Sequence, residues 1–316
     1  MLEKDNSLVT VFSLCYNTNA SFVISAIDSI YNQTYSNIEH IIINDAPDDF
    51  THWPIIREYL SRNNLPSTII ENKTNQGICN NLNRVLDLSR GKYLIGCSDD
   101  VLEGDAIRIM VSHYKKLDND VKIVFGDVSI INEENIITHE SYLKAKGYYS
   151  NIEEVNFSSY LQNRVRFPTL GCLYKKDVFD KVGNYDNNLI AEDVDMHLRI
   201  LSIFRCSFCG YKVANYRSHS FQLSQKSQDW FERDRLIIFK KWHGKISSDD
   251  TYYVKKRIES MALNALLNRK FDYVRYHGYG SARVELYRYF SSFYPLIALL
   301  IGVNRQLKFL KSKLLN

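Results

Sequence analysis

Two adjacent carboxylates, Asp99 and Asp100, follow a short apolar segment, Tyr93 to Gly96. The segment predicts a buried strand, and open α/β sheets bind ligands outside the carboxyl ends of such strands. Mg²⁺ and Mn²⁺ prefer oxygen ligands, usually one or two carboxylates together with substrate phosphates. The pair therefore indicates a site for a divalent metal or a phosphate-bearing ligand. A solvated Asp-Asp turn is the structural alternative.

The segments around this pair alternate between strand-like and helix-like patterns. Strands are predicted at residues 8–16, 39–44 and 67–71, with a first helix capped by Asn19 or Ser21 and another over residues 78–89. Alternating strands and helices predict a mostly parallel sheet with right-handed crossovers. The expected fold class is α/β, with a Rossmann-like central sheet flanked by helices.

Asp45 stands at the carboxyl end of the second predicted strand. A carboxylate there can accept hydrogen bonds from a base N–H or a ribose hydroxyl. No Gly-x-Gly-x-x-Gly follows the first strand, and no Gly-x-x-x-x-Gly-Lys-Ser/Thr occurs, so dinucleotide and P-loop sites are not expected. The pattern favours a nucleotide whose diphosphate is bound through a metal ion and not by a glycine-rich loop.

The composition is that of a globular protein with one large domain and an extension. The 316 residues are 45% hydrophobic and 24% charged, and the net charge of +4 is too small to indicate nucleic acid. Cys206 and Cys209 have the spacing of half a zinc site or a redox pair, but no second pair follows. The six cysteines are therefore predicted to be reduced thiols of a cytosolic protein.

The sequence predicts neither a secretory signal peptide nor a membrane-spanning segment. The polar start, Met1 to Asn6, predicts no secretory signal peptide. No apolar run approaches the roughly 20 residues needed to span a bilayer.

An ordered set of short motifs over residues 8–225 resembles family 2 glycosyltransferases of the GT-A fold. The motifs are Tyr16-Asn17, Ser29-x-x-x-Gln33-Thr34, Glu39-x-Ile-Ile-Ile-x-Asp45, Asn75-x-Gly77-x5-Asn83, Gly91-Lys92-Tyr93, Ser98-Asp99-Asp100, Phe125-Gly126-Asp127, Gly171-x-x-Tyr174-Lys175-Lys176-x-Val178-Phe179, Val182-Gly183-x-Tyr185-Asp186 and Glu192-Asp193-x-Asp195-x-x-x-Arg199. So many elements in one order make a chance match improbable.

The resemblance implies a nucleotide-diphosphate sugar as donor, with UDP the usual nucleotide, and Mn²⁺ or Mg²⁺ as cofactor. The donor-binding positions it implies are Asn17, Asp45, Asn75, Gly77, Asn83, Lys92, Ser98, Asp99 and Arg217. The metal ligands it implies are Asp99, Asp100 and His219. Tyr216-Arg217-Ser218-His219-Ser220 resembles the family's Arg-x-His segment, in which Arg217 or His219 is expected to reach the diphosphate or the metal. For His219 a purely structural role is the alternative.

The sequence departs from the family's Asp-x-Asp motif at Cys97, which stands where the first aspartate is expected. A thiol is a poor ligand for Mg²⁺ or Mn²⁺. The enzyme is therefore expected to depend less on a metal, or Asp100 is expected to bind the metal together with Asp99. A buried structural cysteine is favoured over a catalytic thiol.

Glu192 and Asp193 precede a predicted helix in the acceptor half of the chain. By resemblance Asp193 is the base of an inverting single displacement, and Glu192 orients it or binds an acceptor hydroxyl. Stabilisation of two carboxylates by a helix N-terminus is the structural alternative. The Tyr-rich segment 142–157 predicts a loop or short helices near the acceptor, and residues 166–172 are expected to line the sugar pocket.

Residues 226–316 predict a helical C-terminal extension, after a catalytic domain of residues 1–225 with a nucleotide half (1–100) and an acceptor half (101–225). Helices are predicted at 230–242 and 252–267, and the tail 305–315 combines four cations with an apolar helical face. This tail suits docking on an anionic membrane surface, where lipid-linked saccharides lie. A packed terminal helix or a homodimer contact is the alternative.

The expected function is transfer of a hexose or N-acetylhexosamine from a nucleotide-sugar to a glycan or lipid-linked saccharide, in bacterial surface-polysaccharide or lipopolysaccharide assembly. The processive Gln-x-x-Arg-Trp signature is absent, which favours single addition. The expected location is cytoplasmic, with peripheral contact to the inner face of the membrane. The rivals are a sugar-nucleotide nucleotidyltransferase, whose glycine-rich phosphate loop is missing, and a non-catalytic glycan-binding protein with a degenerate site.

Overall fold

The computed structural model describes residues 6–220, 222, 228–242 and 244–267. The chain separates into two compact units, Met1–Lys226 and Ser227–Asn316. The basic tail 305–315, for which a membrane or dimer contact is predicted, lies outside the described residues.

The first part of unit one alternates strands and helices. The strands are β1 (Val9–Cys15), β2 (Ile38–Asn44), β3 (Ser67–Glu71) and β4 (Tyr93–Gly96), and the helices are α1 (Ala20–Tyr31), α2 (Trp53–Arg62) and α3 (Ile78–Leu88). All four strands run parallel. Helix α1 begins as the sequence predicts, because the Asn19 side chain accepts a hydrogen bond from the Ser21 N–H.

The second part of unit one is more irregular. Its elements are β5 (Val101–Leu102), α4 (Ala106–Tyr114), β6 (Val121–Ile131), β7 (Ile137–His139), α5 (Tyr142–Ala145), α6 (Phe157–Leu161), β8 (Cys172–Lys175), α7 (Phe179–Val182), α8 (Glu192–Leu201) and β9 (Arg205–Arg217). Short 3-10 turns lie at Tyr149–Glu154, Thr169–Gly171 and Lys176–Val178.

The described strands form one sheet in the order β3-β2-β1-β4-β8-β6-β9-β5, with β7 paired to β6. Strand β8 is antiparallel to β4 and to β6, while β6 and β9 are parallel to one another. The carboxyl ends of β1, β2, β4, β6 and β9 therefore lie along one edge of the sheet. The predicted α/β class with a mostly parallel central sheet is confirmed.

Close strand packing explains two glycines of the sheet. A Cβ built on Gly126 would lie 2.5 Å from Val213 Cγ1 of β9 and 2.8 Å from the Tyr211 carbonyl oxygen. A Cβ on Gly171 would lie 3.0 Å from the Gly126 carbonyl oxygen. These positions let the turn before β8 lie directly against β6.

By sequence, Val121 to Asp127 predicts a strand, and Ser129 to Glu140 predicts a separate hairpin with a turn at Asn132 to Asn135. The structure corrects the division between the two. Strand β6 continues unbroken from Val121 to Ile131 because its partner β9 is long enough to pair with all of it, through register shifts. The turn at Asn132 to Asn135 is as predicted, and Asn135 adopts a positive φ of 63° there.

In unit two, helices α9 (Gln228–Trp242) and α10 (Ser248–Leu267) match the predicted helical pair. Phe239 of α9 meets Tyr253 of α10 edge to face, with ring centroids 6.4 Å apart. None of the helices among the described residues is long and apolar enough to cross a bilayer.

Candidate active site

The candidate site residues cluster where the parallel strands end. Asp45 follows β2, and the segment from Cys97 to Asp100 follows β4. Arg217 ends β9 and pairs with Ile131, the last residue of β6. Polar groups from distant parts of the chain therefore meet at one edge, as expected for an α/β sheet.

The Asp45 carboxylate organises the loop after β3. Its Oδ1 accepts hydrogen bonds from the Asn72 side chain at 2.8 Å and the Gln76 N–H at 2.7 Å, and its Oδ2 accepts the Gly77 N–H at 2.9 Å. The side chain is 5% exposed. Asp45 thus holds the loop that leads into α3, a role that the sequence does not reveal.

The predicted donor-binding residues of that loop and of α3 differ in their surroundings. Asn75 is exposed, and Gly77 has a φ of 78° with open space where a Cβ would lie. Asn83 pairs with the Tyr185 backbone, since its Nδ2 donates to the carbonyl at 3.0 Å and its Oδ1 accepts the N–H at 2.8 Å. The Asn83 amide therefore ties α3 to the loop before α8.

Of three further predicted donor-binding residues, two lie at the edge of the sheet that carries the site and one does not. Ser98 Oγ accepts the Leu14 N–H at 3.0 Å, which anchors the segment after β4 to β1. Asn17 is exposed in the turn after β1, with a φ of 49°. Lys92 precedes β4, where its N–H bonds the Leu8 carbonyl before β1. It lies at the opposite edge of the sheet and is not brought together with Asp99.

Asp99 and His219 are in direct contact. His219 Nε2 lies 2.9 Å from Asp99 Oδ2. The Asp99 side chain is 25% exposed and that of His219 is 8% exposed. His219 also packs against the ring of Phe22, with centroids 5.4 Å apart. The structure therefore brings these two predicted metal ligands together.

Arg217 links both aspartates to the sheet from a fully buried position. Its backbone N–H bonds Asp100 Oδ1 at 2.7 Å, and its Nε donates to the Asp99 carbonyl at 2.8 Å. The guanidinium lies 4.5 Å above the Phe22 ring, and burial lowers its pKa. Burial, with the Asp99 charge added, raises the pKa of Asp100 well above its usual range.

Cys97 is a buried thiol, 1% exposed, whose Sγ lies 3.4 Å from the Asp100 carbonyl oxygen. Burial, with the Asp100 charge added, raises its pKa well above that of an ordinary thiol. Cys97 therefore stays protonated and is neither an activated nucleophile nor a ready ligand for a hard cation. This agrees with a structural cysteine.

The donor atoms fit a divalent cation that takes most of its ligands from substrate. Asp99 offers carboxylate oxygen and His219 a ring nitrogen, and within the described part of the chain His219 Nδ1 is buried without a hydrogen-bond partner. No group of three or more His, Cys, Asp or Glu side chains among those residues is arranged to hold a metal. Asp99 supplies the carboxylate oxygen that Mn²⁺ and Mg²⁺ prefer, and substrate phosphates would supply further oxygen ligands.

Asp193 lies in the first turn of α8 and contacts the turn that precedes β8. Thr169 Oγ1 donates to Asp193 Oδ2 at 2.9 Å. Strand β8 neighbours β4, with Leu94 opposite Tyr174, so the start of β8 and the end of β4 share one edge. Asp193 is therefore at the sheet edge that carries Asp45 and Asp99.

Glu192 lies beside Asp193 and is half-buried. Burial raises the pKa of Tyr185, and the charges of Glu192 and Asp193 add to the rise, which places both carboxylates near that phenol. One turn along α8, His197 lies buried between two tyrosines. Tyr160 Oη is 2.7 Å from His197 Nδ1, and Tyr174 Oη is 2.6 Å from Nε2.

Sequence reasoning missed Phe22, Thr169 and His197 as supports of the site. The helical spacing of Phe22, Ala26 and Ile30 predicts only that this face of α1 packs on the sheet. His197 has a usable signal, because it follows Asp193 by four residues and therefore shares its face of the helix. Thr169 lies in the segment 166–172 that is predicted to line the sugar pocket, but its contact with Asp193 has no signal in the sequence, because it joins residues 24 positions apart.

Comparison with known proteins identifies the family. The model of Glycosyl transferase family 2 matches residues 10–183, more than half of the chain. The uncharacterized glycosyltransferase MJ1057 of Methanocaldococcus jannaschii is 27% identical over 206 residues, which cover 63% of this chain and 67% of that protein. The O-antigen biosynthesis glycosyltransferase WbnJ of Escherichia coli is 29% identical over 217 residues, which cover 67% of this chain and 80% of WbnJ.

Solved structures give the same fold. Residues 1–349 of S. aureus TarS in complex with UDP-GlcNAc superpose with a TM-score of 0.62 at 12% identity, covering 92% of this chain and 88% of that one. The mannosyltransferase PcManGT from Pyrobaculum calidifontis, in complex with GDP-Man and Mn²⁺, gives a TM-score of 0.55 at 15% identity, covering 94% and 87%. The chain belongs to glycosyl transferase family 2 and is a glycosyltransferase with the GT-A fold.

Proposed function

We propose that this glycosyltransferase moves a sugar from a UDP-sugar to a hydroxyl of a glycan or lipid-linked saccharide, with inversion at the anomeric carbon. The observation that carries the proposal is the common edge on which Asp45, the Asp99–His219 pair and Asp193 lie. One end of this edge offers groups for a nucleotide diphosphate, and the other offers a carboxylate for an acceptor hydroxyl.

The donor end is formed by the loop that Asp45 holds and by the segment after β4. The exposed Asn75 and Asn17 and the open backbone at Gly77 leave room for a base and ribose at this end. TarS was solved with UDP-GlcNAc and PcManGT with GDP-Man, which supports a nucleotide-sugar donor. UDP is chosen over GDP as the commoner nucleotide in the family.

A divalent metal would be held by Asp99 and His219, in keeping with the Mn²⁺ named for PcManGT. When bound, such an ion would stabilise negative charge on the leaving diphosphate. Arg217 holds both aspartates in place, with its N–H on Asp100 and its Nε on the Asp99 carbonyl. Its buried charge also offsets theirs.

Asp193 would act as the general base. Its carboxylate takes the proton of the acceptor hydroxyl while that oxygen bonds the anomeric carbon, and the bond from that carbon to the diphosphate oxygen breaks. Glu192, one residue earlier, would bind a second acceptor hydroxyl. Positioned general bases contribute on the order of 10²- to 10⁴-fold in rate.

The name of one relative supports the proposed class of acceptor. WbnJ is named for O-antigen biosynthesis, which supports a role in surface-glycan assembly. The basic tail 305–315 would dock on an anionic membrane surface where lipid-linked acceptors lie, or would form a dimer contact. A liposome-sedimentation assay of the full chain, with anionic and neutral vesicles, distinguishes these two.

A thermal-shift screen of UDP-, GDP- and dTDP-sugars, with and without Mn²⁺, tests the donor. A ligand that binds only the folded state adds about 2.7 kcal/mol at a concentration 100 times its Kd. We expect a UDP-sugar to raise the Tm with Mn²⁺ in the wild type and much less in Asp99→Asn. His139→Gln, which replaces an exposed histidine, is the control and should respond as the wild type does. No shift with any nucleotide-sugar contradicts the proposal.

A further inference from the structure

The Asp193 carboxylate is held at both of its oxygens by two different elements. Oδ1 accepts the N–H of Val194 at 2.7 Å, a contact within the first turn of α8. Oδ2 accepts the hydroxyl of Thr169 at 2.9 Å, from the 3-10 turn before β8. With the first bond alone the carboxylate could still rotate about its Cβ–Cγ bond. The second bond fixes the plane of the group.

We propose that Thr169 is a positioning residue of the transfer reaction, which sets the orientation of the Asp193 carboxylate toward the acceptor hydroxyl. The inference rests on the proposed role of Asp193 as base. Thr169 need not touch the substrate to act in this way. A base contributes fully only when its oxygen is aligned with the proton that it removes, and small misplacements are costly.

The turn that carries Thr169 is fixed against the sheet. Gly171 lies so close to β6 that an added Cβ would approach the Gly126 carbonyl oxygen to 3.0 Å. Cys172 Sγ donates to the Pro168 carbonyl at 3.2 Å, which closes the turn on its other side. A hydroxyl on this turn therefore has a defined position relative to β4 and the Asp99 segment.

The helix that carries Asp193 is fixed as well. His197, one turn below Asp193, is fully buried, and each of its ring nitrogens meets a tyrosine hydroxyl. Tyr160 comes from α6 and Tyr174 from β8. Because β8 also follows the turn of Thr169, both supports of Asp193 are attached to the same strand.

Thr169 has little to contribute to the stability of the fold. Its side chain is exposed, and its partner Asp193 is only half-buried. Hydrogen bonds between exposed groups replace bonds to water and therefore add little net stability. A structural role therefore predicts almost no effect of removing the hydroxyl, whereas a positioning role predicts a loss of turnover without a loss of stability.

The test compares Thr169→Val, which removes the hydroxyl at nearly constant shape, with Thr169→Ser, which keeps it. Thr138→Val is the matched control, because Thr138 is also exposed and its hydroxyl contacts only groups outside the site among the described residues, the Ile130 carbonyl at 3.1 Å and His139 Nδ1 at 3.3 Å. Steady-state release of sugar from the radiolabelled donor found by the thermal-shift screen, with water as the acceptor, provides the readout. We expect Thr169→Val to lower kcat about tenfold with the donor KM unchanged, and Thr169→Ser and Thr138→Val to behave as the wild type.

A double-mutant cycle separates positioning from general damage. In the Asp193→Asn background the base is gone, so Thr169→Val should change turnover by less than about twofold. An equal loss in both backgrounds, a wild-type rate in Thr169→Val, or failure of Thr169→Ser to keep the rate overturns the inference. If the wild type turns over no nucleotide-sugar at all, the proposed function fails, and the role of Thr169 fails with it.

Discussion

The Asp99 carboxylate and the His219 imidazole lie 2.9 Å apart although 120 residues separate them in the chain. Strand β9 makes the contact possible, because it runs parallel to β6 and delivers its end to the edge where β4 ends. A charged oxygen and a ring nitrogen at this distance offer a paired donor set for a cation that also binds phosphate.

Replacing His219 by Gln should weaken Mn²⁺-dependent donor binding while leaving the fold intact. The amide lacks the imidazole nitrogen that faces Asp99, so we expect the Kd for the UDP-sugar with Mn²⁺ to rise about tenfold or more. Isothermal titration of donor into protein, with Mn²⁺ and with EDTA, measures the effect. A Kd equal to that of the wild type in both buffers would remove His219 from the metal site.

Replacing Phe22 should disturb two functional side chains at once. The Phe22 ring supports the Arg217 guanidinium at 4.5 Å and the His219 ring at 5.4 Å. Phe22→Ala should cost about 3–5 kcal/mol of unfolding free energy, and Phe22→Leu considerably less. Urea denaturation checks both, with the exposed Phe50→Ala as a neutral control. Equal stability of Phe22→Ala and Phe50→Ala would show that this packing contributes nothing.

Replacing Asp45 by Asn should loosen the loop of residues 72–77. Each carboxylate oxygen accepts one backbone N–H, so replacing either oxygen by an NH₂ donor would leave a partly buried N–H facing it unpaired. The expected cost is about 1–3 kcal/mol, measured by urea denaturation. Asp48→Asn, at an exposed position of the neighbouring turn, should cost nothing. If the two variants are equally stable, Asp45 does not hold the loop.

His197 makes stability depend on pH. Burial lowers its pKa to about 4, against 6.5 for an ordinary histidine. Between these values the unfolded chain binds the additional proton, so the unfolding free energy falls as the pH drops from about 6.5 toward 4. The slope per histidine is at most about 1.4 kcal/mol per pH unit.

His197→Gln removes one buried histidine and should make the unfolding free energy less dependent on pH. Part of the dependence should remain, because burial also lowers the pKa of His40, to about 3. Urea unfolding at pH 7.0, 6.0 and 5.0 measures the difference between the variant and the wild type. Identical slopes would mean that His197 is not held neutral in the folded protein.

Most elements of the nucleotide half were predictable because they are local. The β-branched segment of β2 and the asparagine cap of α1 depend on neighbours a few residues away, and both were predicted closely. Helices α2 and α4 were not predicted at all. Strand β6 was wrongly divided, because the partner that carries it past Asp127 is β9, about 80 residues away.

The same limit applies to the candidate site. The motif order indicated Asp45, Asp99, Asp193 and His219, but not how they are held. Lys92 belongs to the same motif as Tyr93, the first residue of β4, and Asp99 follows the other end of that strand. Lys92 therefore lies at the opposite edge of the sheet from Asp99. Motif membership gives neither the end of a strand nor the long-range hydrogen bonds, such as that of Thr169, that orient a side chain.

The central claim is that one edge of the sheet both binds the donor and supplies the base. Donor turnover in Asp193→Asn tests this claim most directly. The variant should bind the UDP-sugar with Mn²⁺ as the wild type does and lose turnover by about 100-fold or more. Binding and turnover are read from titration calorimetry and from release of radiolabelled sugar. Turnover at the wild-type rate would contradict the assignment of Asp193 as base and, with it, the proposed arrangement of the site.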